Sequence, residues 1–294
     1  MKQPVFTGSG VAIVTPFTTD TVDYAALRRL LDFQLASGTD AIIVCGTTGE
    51  ASTMSYAERI RTIETTVRHV DGRVPVIAGT GSNSTETAIV LSKDAVLAGA
   101  DALLVVTPYY NKATQQGLVC HYSTIADLVT KPLILYNVPS RTGVKCTAET
   151  YAALAEHPNI AGVKEAGGDL SLVQKTRELC PEDFYIWSGN DEDTAAIMLL
   201  GGKGVISVAA NIAPRAMREL THACLAGNFP EAGRMQLQLR RLCEALFCEV
   251  NPIPVKTALS MMDFCQEILR SPLCRMEDGN RAKLQEELCA YDLL

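Results

Sequence analysis

The sequence has no CxxC pair among its ten cysteines, no cluster among its four histidines and no apolar run long enough to cross a bilayer. The thiols are spread from Cys45 to Cys289, with Cys243 and Cys248 five apart and Cys265 and Cys274 nine apart. Such spacing reads as free buried or surface thiols rather than as a zinc site. His69, His121, His157 and His222 are equally dispersed, so no metal site is expected. Neither GxGxxG nor a Walker loop occurs, which removes the usual phosphate cradle of a nucleotide enzyme. Excess positive charge is missing too: 26 lysines and arginines face 33 aspartates and glutamates, a formal charge of -7. That balance argues against broad contact with nucleic acid or an anionic membrane, while leaving room for a local basic pocket that takes an acidic metabolite. Met1–Pro4 lead into a polar, glycine-containing segment with no apolar signal-peptide core, so a cytoplasmic location is expected. No low-complexity linker asks for a second globular unit, and residues 1–294 read as a single catalytic domain.

What is present is a repeated βα design. With 47% hydrophobic residues the chain can bury a sizeable core. Leu35–Val44 (LASGTDAIIV) and Leu97–Val106 (LAGADALLVV) share one pattern: a helix end, a glycine that closes it, then a short apolar strand. Leu199–Val208 (LLGGKGVISV) repeats it without the aspartate. Strands are expected near Val11–Thr15, Ala41–Val44, Val74–Ala78, Ala102–Thr107, Leu133–Tyr136, Ile160–Lys164, Phe184–Ser188 and Gly204–Ser207. Continuous Val/Ile/Leu runs of this kind suit parallel strands covered on both faces. Helices fill most gaps: Tyr24–Ala36 carries Leu27, Leu30, Leu31 and Leu35 on one side, and Thr85–Ala98 carries Ile89, Val90, Ala95 and Leu97. Eight strands alternating with helices favour an α/β fold closed as a (β/α)8 barrel, although periodicity alone leaves an open sheet as the alternative. Helical patterns at Ala213–Leu225, Ala232–Phe247, Pro254–Leu269 and Arg281–Leu288 exceed what an eighth unit needs. The barrel is therefore expected over about 1–225, with a C-terminal helical extension over about 226–294.

Catalytic groups of a barrel gather at the carboxyl ends of its strands. After the second strand, Gly46–Glu50 (GTTGE) offers small residues, amides and the hydroxyls of Thr47 and Thr48 to an anion, or is an ordinary glycine-rich loop. After the fourth, Thr107–Lys112 (TPYYNK) supplies Tyr109 and Tyr110, as proton donors or as caps on the core. The fifth strand ends at Tyr136 and runs into a loop constrained by Pro139 and Gly143. That loop carries Arg141, whose guanidinium can hold a carboxylate through two hydrogen bonds. The sixth ends at Lys164. An amine held out of water there has its ammonium form disfavoured and its nucleophilic form enriched, and can condense with a keto acid. The seventh and eighth strands contribute Gly189, with room for a ligand, and Ile206. Asp191 and Glu192 read as helix-start carboxylates rather than metal ligands.

The segments GTTGE, VTPYYN (Val106–Asn111), LYNVPSRTG (Leu135–Gly143) and VKEA (Val163–Ala166) resemble the dihydrodipicolinate synthase family of pyruvate-dependent aldolases and lyases. The likeness runs from about residue 5 into the C-terminal helices. It implies Lys164 as the Schiff-base lysine, Tyr136 as the proton-transfer phenol, and Thr47 relaying between Tyr136 and a Tyr110 that reaches the neighbouring subunit's site. It further implies Thr48, with the amides of Thr47 and Thr48, as the pyruvate-carboxylate cradle. Arg141 becomes the clamp on L-aspartate 4-semialdehyde, and Gly189 and Ile206 line the pyruvate pocket. No external cofactor is implied, and the expected assembly is a homotetramer of tight dimers. The expected product is (4S)-4-hydroxy-2,3,4,5-tetrahydrodipicolinate, on the diaminopimelate route to lysine. Asn83 and Tyr109 match positions of an inter-subunit lysine pocket, but Tyr56, Arg59 and Thr87 stand where strongly feedback-sensitive relatives have His, His and Glu. Weak or absent feedback is the expectation. An N-acetylneuraminate or 2-keto-3-deoxy-sugar-acid lyase would keep Lys164 and Tyr136, and Arg141 argues against it. A noncatalytic α/β regulatory protein is the more distant alternative.

Overall fold

The computed structural model describes all 294 residues and closes eight parallel strands into a barrel. The strands are β1 (Gly8–Ala12), β2 (Ala41–Val44), β3 (Val76–Gly79), β4 (Ala102–Val106), β5 (Leu133–Asn137), β6 (Ile160–Glu165), β7 (Tyr185–Ser188) and β8 (Gly204–Ser207). Each pairs with its sequence neighbours, and β1 pairs with β8 through Gly8↔Gly204 to Val11↔Ser207. Closure removes both sheet edges, and every strand residue except the partly exposed Val106 is buried.

Strand alternation divides the core in two. Ile43, Ile77, Leu104, Ile134, Tyr136, Trp187 and Ile206 belong to a cluster of 14 residues filling the barrel interior. Their neighbours Ile42, Ala78, Val105, Leu135, Ile186 and Val205 belong to a cluster of 66 shared between barrel wall and helices. Most apolar burial therefore lies outside the barrel, where the helices must cover it. Local chemistry starts those helices: Asp23 accepts from the N–H groups of Ala25 and Ala26 to cap Tyr24–Ala36. Ser55 and Glu58 form a capping box at Tyr56–Val70.

Several expectations shift, the third strand to Val76–Gly79 and two C-terminal helices to Phe229–Leu246 and Asp278–Ala290 among them. The first strand lies at Gly8–Ala12 rather than Val11–Thr15, because its ends are fixed by pairing with β2 and β8 rather than by its own apolar run. The approach there is close: a Cβ at Gly204, whose φ is +157°, would meet the carbonyl oxygen of Gly8 at 2.0 Å. The helix Thr85–Leu97 buries Ala88, Ile89, Leu91, Ser92 and Ala95, whereas Val90 and Leu97 are exposed, Leu97 by 83%. Seven residues apart, those two share a face, and it is the outer one. The expected helix Pro254–Leu269 spans Ile253–Met261 and stops before Asp263, which has a φ of 60°. The chain beyond it returns to the GTTGE turn, where the Arg270 N–H donates to Glu50 Oε2 at 3.0 Å.

After β8 come helices Pro214–Leu225, Phe229–Leu246, Ile253–Met261 and Asp278–Ala290, with Phe229–Leu246 packed between the first and the last of them. No helix is long and apolar enough to cross a membrane. All ten cysteines are free, and six are buried.

Candidate active site

Lys164 and Tyr136 are register partners on β6 and β5. Lys164 is only 5% exposed, and its Nζ lies 4.4 Å from the centroid of the Tyr136 ring. The ring face receives a cation or an amine without taking its protons, and no hydrogen bond or ion pair occupies Nζ. Behind this strand end, the Glu165 carboxylate accepts from Asn137 Nδ2 at 2.9 and 3.1 Å, from the Tyr151 hydroxyl at 2.8 Å and from the Gly167 N–H at 2.9 Å. Burial raises the Glu165 carboxyl above its ordinary range, and these donors oppose the shift. The network pins β5 to β6 and so fixes Tyr136 beside Lys164.

Tyr136 also lines a cavity of about 250 Å³, together with Thr47, Tyr109, Val138 and Arg141. Lys164 is not part of that wall; its amine rests against the Tyr136 ring, which is. The GTTGE turn closes through Gly49 N–H to the Gly46 carbonyl at 3.1 Å and Glu50 N–H to the Thr47 carbonyl at 3.0 Å. A Cβ on Gly46 would meet nothing within 4 Å, so the space above the turn is open. Thr48 is buried, and its Oγ1 accepts from Asn251 Nδ2 at 3.0 Å. Arg141 sits in a one-turn helix, Pro139–Thr142, ended by Gly143 at a φ of 69°. Its exposed guanidinium donates from Nη2 to the Asn251 carbonyl at 3.1 Å.

Ile206 joins Tyr136 in the barrel interior. Gly189 is closely packed on its strand side: its N–H donates to the Glu165 carbonyl at 2.7 Å, and a Cβ would strike that of Ala166 at 2.5 Å. Asp191 opens a short turn but does not cap it; its carboxylate accepts from the N–H groups of Val208 and Ala209, at the turn following β8. Burial raises the Asp191 carboxyl, with hydrogen bonds and the nearby Lys164 charge opposing.

Tyr110 stands apart from the rest. It is 92% exposed at a φ of 68° and, unlike Thr47 and Tyr136, does not line the cavity. Of the residues matched to a lysine pocket, Asn83 accepts at its carbonyl from Asn111 Nδ2 at 2.9 Å, and Tyr109 lines the cavity. Asn251 and Tyr151 carried no local signal in the sequence. Asn251 lies 203 residues from Thr48, and only the folded chain reveals their bond.

A closed barrel with an unpaired buried amine, a phenol, hydroxyls and a guanidinium at the carboxyl ends of its strands defines a (β/α)8-barrel enzyme. The model of the dihydrodipicolinate synthetase family matches residues 5–291, and the chain belongs to that family. It is 52% identical over 290 residues to the 4-hydroxy-tetrahydrodipicolinate synthase of Geobacter sulfurreducens, covering 99% of this chain and all of that one. Its fold superimposes on the dihydrodipicolinate synthase of Aquifex aeolicus with a TM-score of 0.97 at 46% identity, covering 98% of this chain and 99% of that one. The enzyme of Thermotoga maritima gives 0.97 at 44% identity, over 99% of this chain and all of that one.

Proposed function

We propose that the protein condenses pyruvate with L-aspartate 4-semialdehyde to (4S)-4-hydroxy-2,3,4,5-tetrahydrodipicolinate, the step that opens the diaminopimelate route to lysine. The buried, unpartnered amine of Lys164 against Tyr136 is the observation that carries the mechanism. Lys164 attacks the pyruvate ketone and water leaves, giving an iminium that withdraws electrons from the methyl carbon. Loss of a methyl proton gives an enamine, whose carbon attacks the aldehyde of the second substrate. That substrate's amino group then adds to the iminium carbon and expels Lys164, closing the ring. One water is released overall, and the lysine itself supplies the electron sink, so no external cofactor is needed.

Tyr136 is assigned proton transfer, with Thr47 relaying to Tyr110 of a neighbouring subunit. The near-complete exposure of Tyr110 supports its acting outside its own chain, in a homotetramer of tight dimers. Thr48, with the amides of Thr47 and Thr48, is assigned the pyruvate carboxylate, Arg141 the semialdehyde carboxylate, and Gly189 and Ile206 the pocket wall. Asn83 and Tyr109 are assigned to an inter-subunit effector pocket. The residues after about 225 belong to one catalytic unit with the barrel, a reading supported by the bonds from Asn251 and Lys256 to the GTTGE turn. The compartment proposed is the cytoplasm.

The deciding experiment is borohydride reduction in the presence of pyruvate, followed by a panel of pyruvate with aspartate semialdehyde and representative sugar keto acids. A pyruvate-sized mass on Lys164, absent from Lys164→Ala, and turnover of the semialdehyde are expected. Efficient cleavage of a sugar acid with no condensation would reject the synthase assignment and keep the lysine chemistry.

A further inference from the structure

We infer that Asn251 is a positioning residue that couples the keto-acid cradle to the second-substrate clamp, an inference that rests on the roles given above to Thr48 and Arg141. Its side chain donates to the Thr48 hydroxyl at 3.0 Å, and its backbone carbonyl accepts from Arg141 Nη2 at 3.1 Å. These are the hydrogen bonds that hold the Thr48 hydroxyl and the Arg141 guanidinium within the chain. A hydroxyl has one proton and can both donate and accept. With Asn251 Nδ2 occupying an acceptor site, the Thr48 proton remains free to point at an anion, which a lone pair would repel. On the other flank, a guanidinium fixed at one nitrogen keeps its remaining N–H groups for a carboxylate.

The residue is well suited to hold both. Asn251 is buried, and it leads directly into the helix Ile253–Met261, whose Lys256 is bonded to Glu50 at the end of the same GTTGE turn. Its Oδ1 is buried without a partner, so the carboxamide makes one side-chain bond, the one to Thr48. A residue kept for stability alone gains little from an amide half unsatisfied. Asn251 therefore ties substrate binding to the C-terminal helices.

Four variants test this: Asn251→Ala, the nearly isosteric Asn251→Asp, Thr48→Val, and Thr48→Val combined with Asn251→Ala. Each is read by KM for both substrates, kcat, the pyruvate concentration giving half-maximal borohydride trapping, and thermal midpoint. Asn251→Ala should raise the pyruvate KM and the trapping midpoint roughly 3–10-fold, the loss of one oriented hydrogen bond, with kcat changing less. Asn251→Asp should be worse, on the order of 100-fold, because its carboxylate consumes the Thr48 proton and repels the pyruvate anion. In the Thr48→Val background, Asn251→Ala should add nothing to the pyruvate defect, since both changes remove one function. Wild-type KM values in folded variants, additive effects in the double variant, or loss of folding in both the Ala and the Asp variant would each overturn the role. A wild-type protein that forms no pyruvate adduct overturns the site reading, and this inference with it. A normal wild-type adduct with indifferent Asn251 variants overturns this inference alone.

Discussion

Lys256 Nζ lies 2.6 Å from Glu50 Oε1, and both side chains are essentially inaccessible to solvent. The pair joins the end of the GTTGE turn to a C-terminal helix. Each partner makes a further bond: Lys256 also donates to the Ile268 carbonyl at 2.7 Å, and Glu50 Oε2 accepts from the Arg270 N–H at 3.0 Å. Burial pulls the Lys256 ammonium below the ordinary lysine range, with Glu50 the main opposing influence. Removing one partner strands the other charge in the core. Lys256→Met should cost about 3–5 kcal/mol in urea unfolding, and Lys256→Met with Glu50→Gln should recover part of it. A single variant as stable as the wild type would contradict a charge-paired core.

Tyr136→Phe keeps the ring against Lys164 and removes the transferable proton. Turnover should fall by about 10²–10⁴-fold with little change in thermal midpoint. Tyr110→Phe should show a related defect. Mixed oligomers of Tyr110→Phe and Lys164→Ala should regain activity, because a Lys164-bearing site then receives an intact Tyr110 from its neighbour. Unchanged kinetics for the first variant, or no recovery in verified mixed oligomers, would refute these roles.

Arg141→Ala should leave pyruvate trapping on Lys164 intact and damage use of the semialdehyde. The loss of a charge-assisted clamp is worth roughly 2–4 kcal/mol, or about 30–1,000-fold in kcat/KM. An equal loss of pyruvate trapping would show that Arg141 does not discriminate between the substrates.

Lysine should inhibit weakly or not at all. The cleft beside the expected effector position is lined by Tyr56, Arg59, Glu86 and Thr87. The Tyr56 hydroxyl is engaged by Asp94, and Arg59 donates to the Gly79 carbonyl at 2.9 Å. Thr87 offers lysine's ammonium no acidic partner and Arg59 adds a like charge nearby, so recognition is expected to be weak unless Glu86 substitutes for the missing acid. Half-inhibition below roughly 0.1 mM lysine, in initial-rate assays with both substrates, would contradict this.

His121 gives a pH signature outside the site. Burial depresses its imidazolium to about 4, while Nδ1 bonds to Thr85 Oγ1 at 2.9 Å. Between that value and the unfolded 6.5, the unfolded chain binds the proton and the folded chain does not, so stability falls as pH falls through this window. The His121 contribution lost between pH 7 and 5 is roughly 2 kcal/mol. His121→Gln should flatten that part of the urea-midpoint profile; an unaltered slope would assign the acid sensitivity elsewhere.

Eight apolar runs, their spacing and the strand-end segments were all legible by inspection, because hydrophobic alternation, helix caps and βα turns are set by residues a few positions apart. Lys164, Tyr136, Thr48 and Arg141 could be singled out for the same reason: each ends or follows a recognisable strand. Tertiary structure decided the rest. β1 begins at Gly8 because its flanking strands impose the register, and Leu97 turns outward because the helix face is chosen by what packs on it. Tyr110 is almost fully exposed, and Asn251 and Lys256 reach Thr48 and Glu50 across 203 and 206 residues of sequence. Bonds of that span have no local period to betray them. They exist only once barrel closure and the returning C-terminal helices bring the chain's two ends to the same mouth.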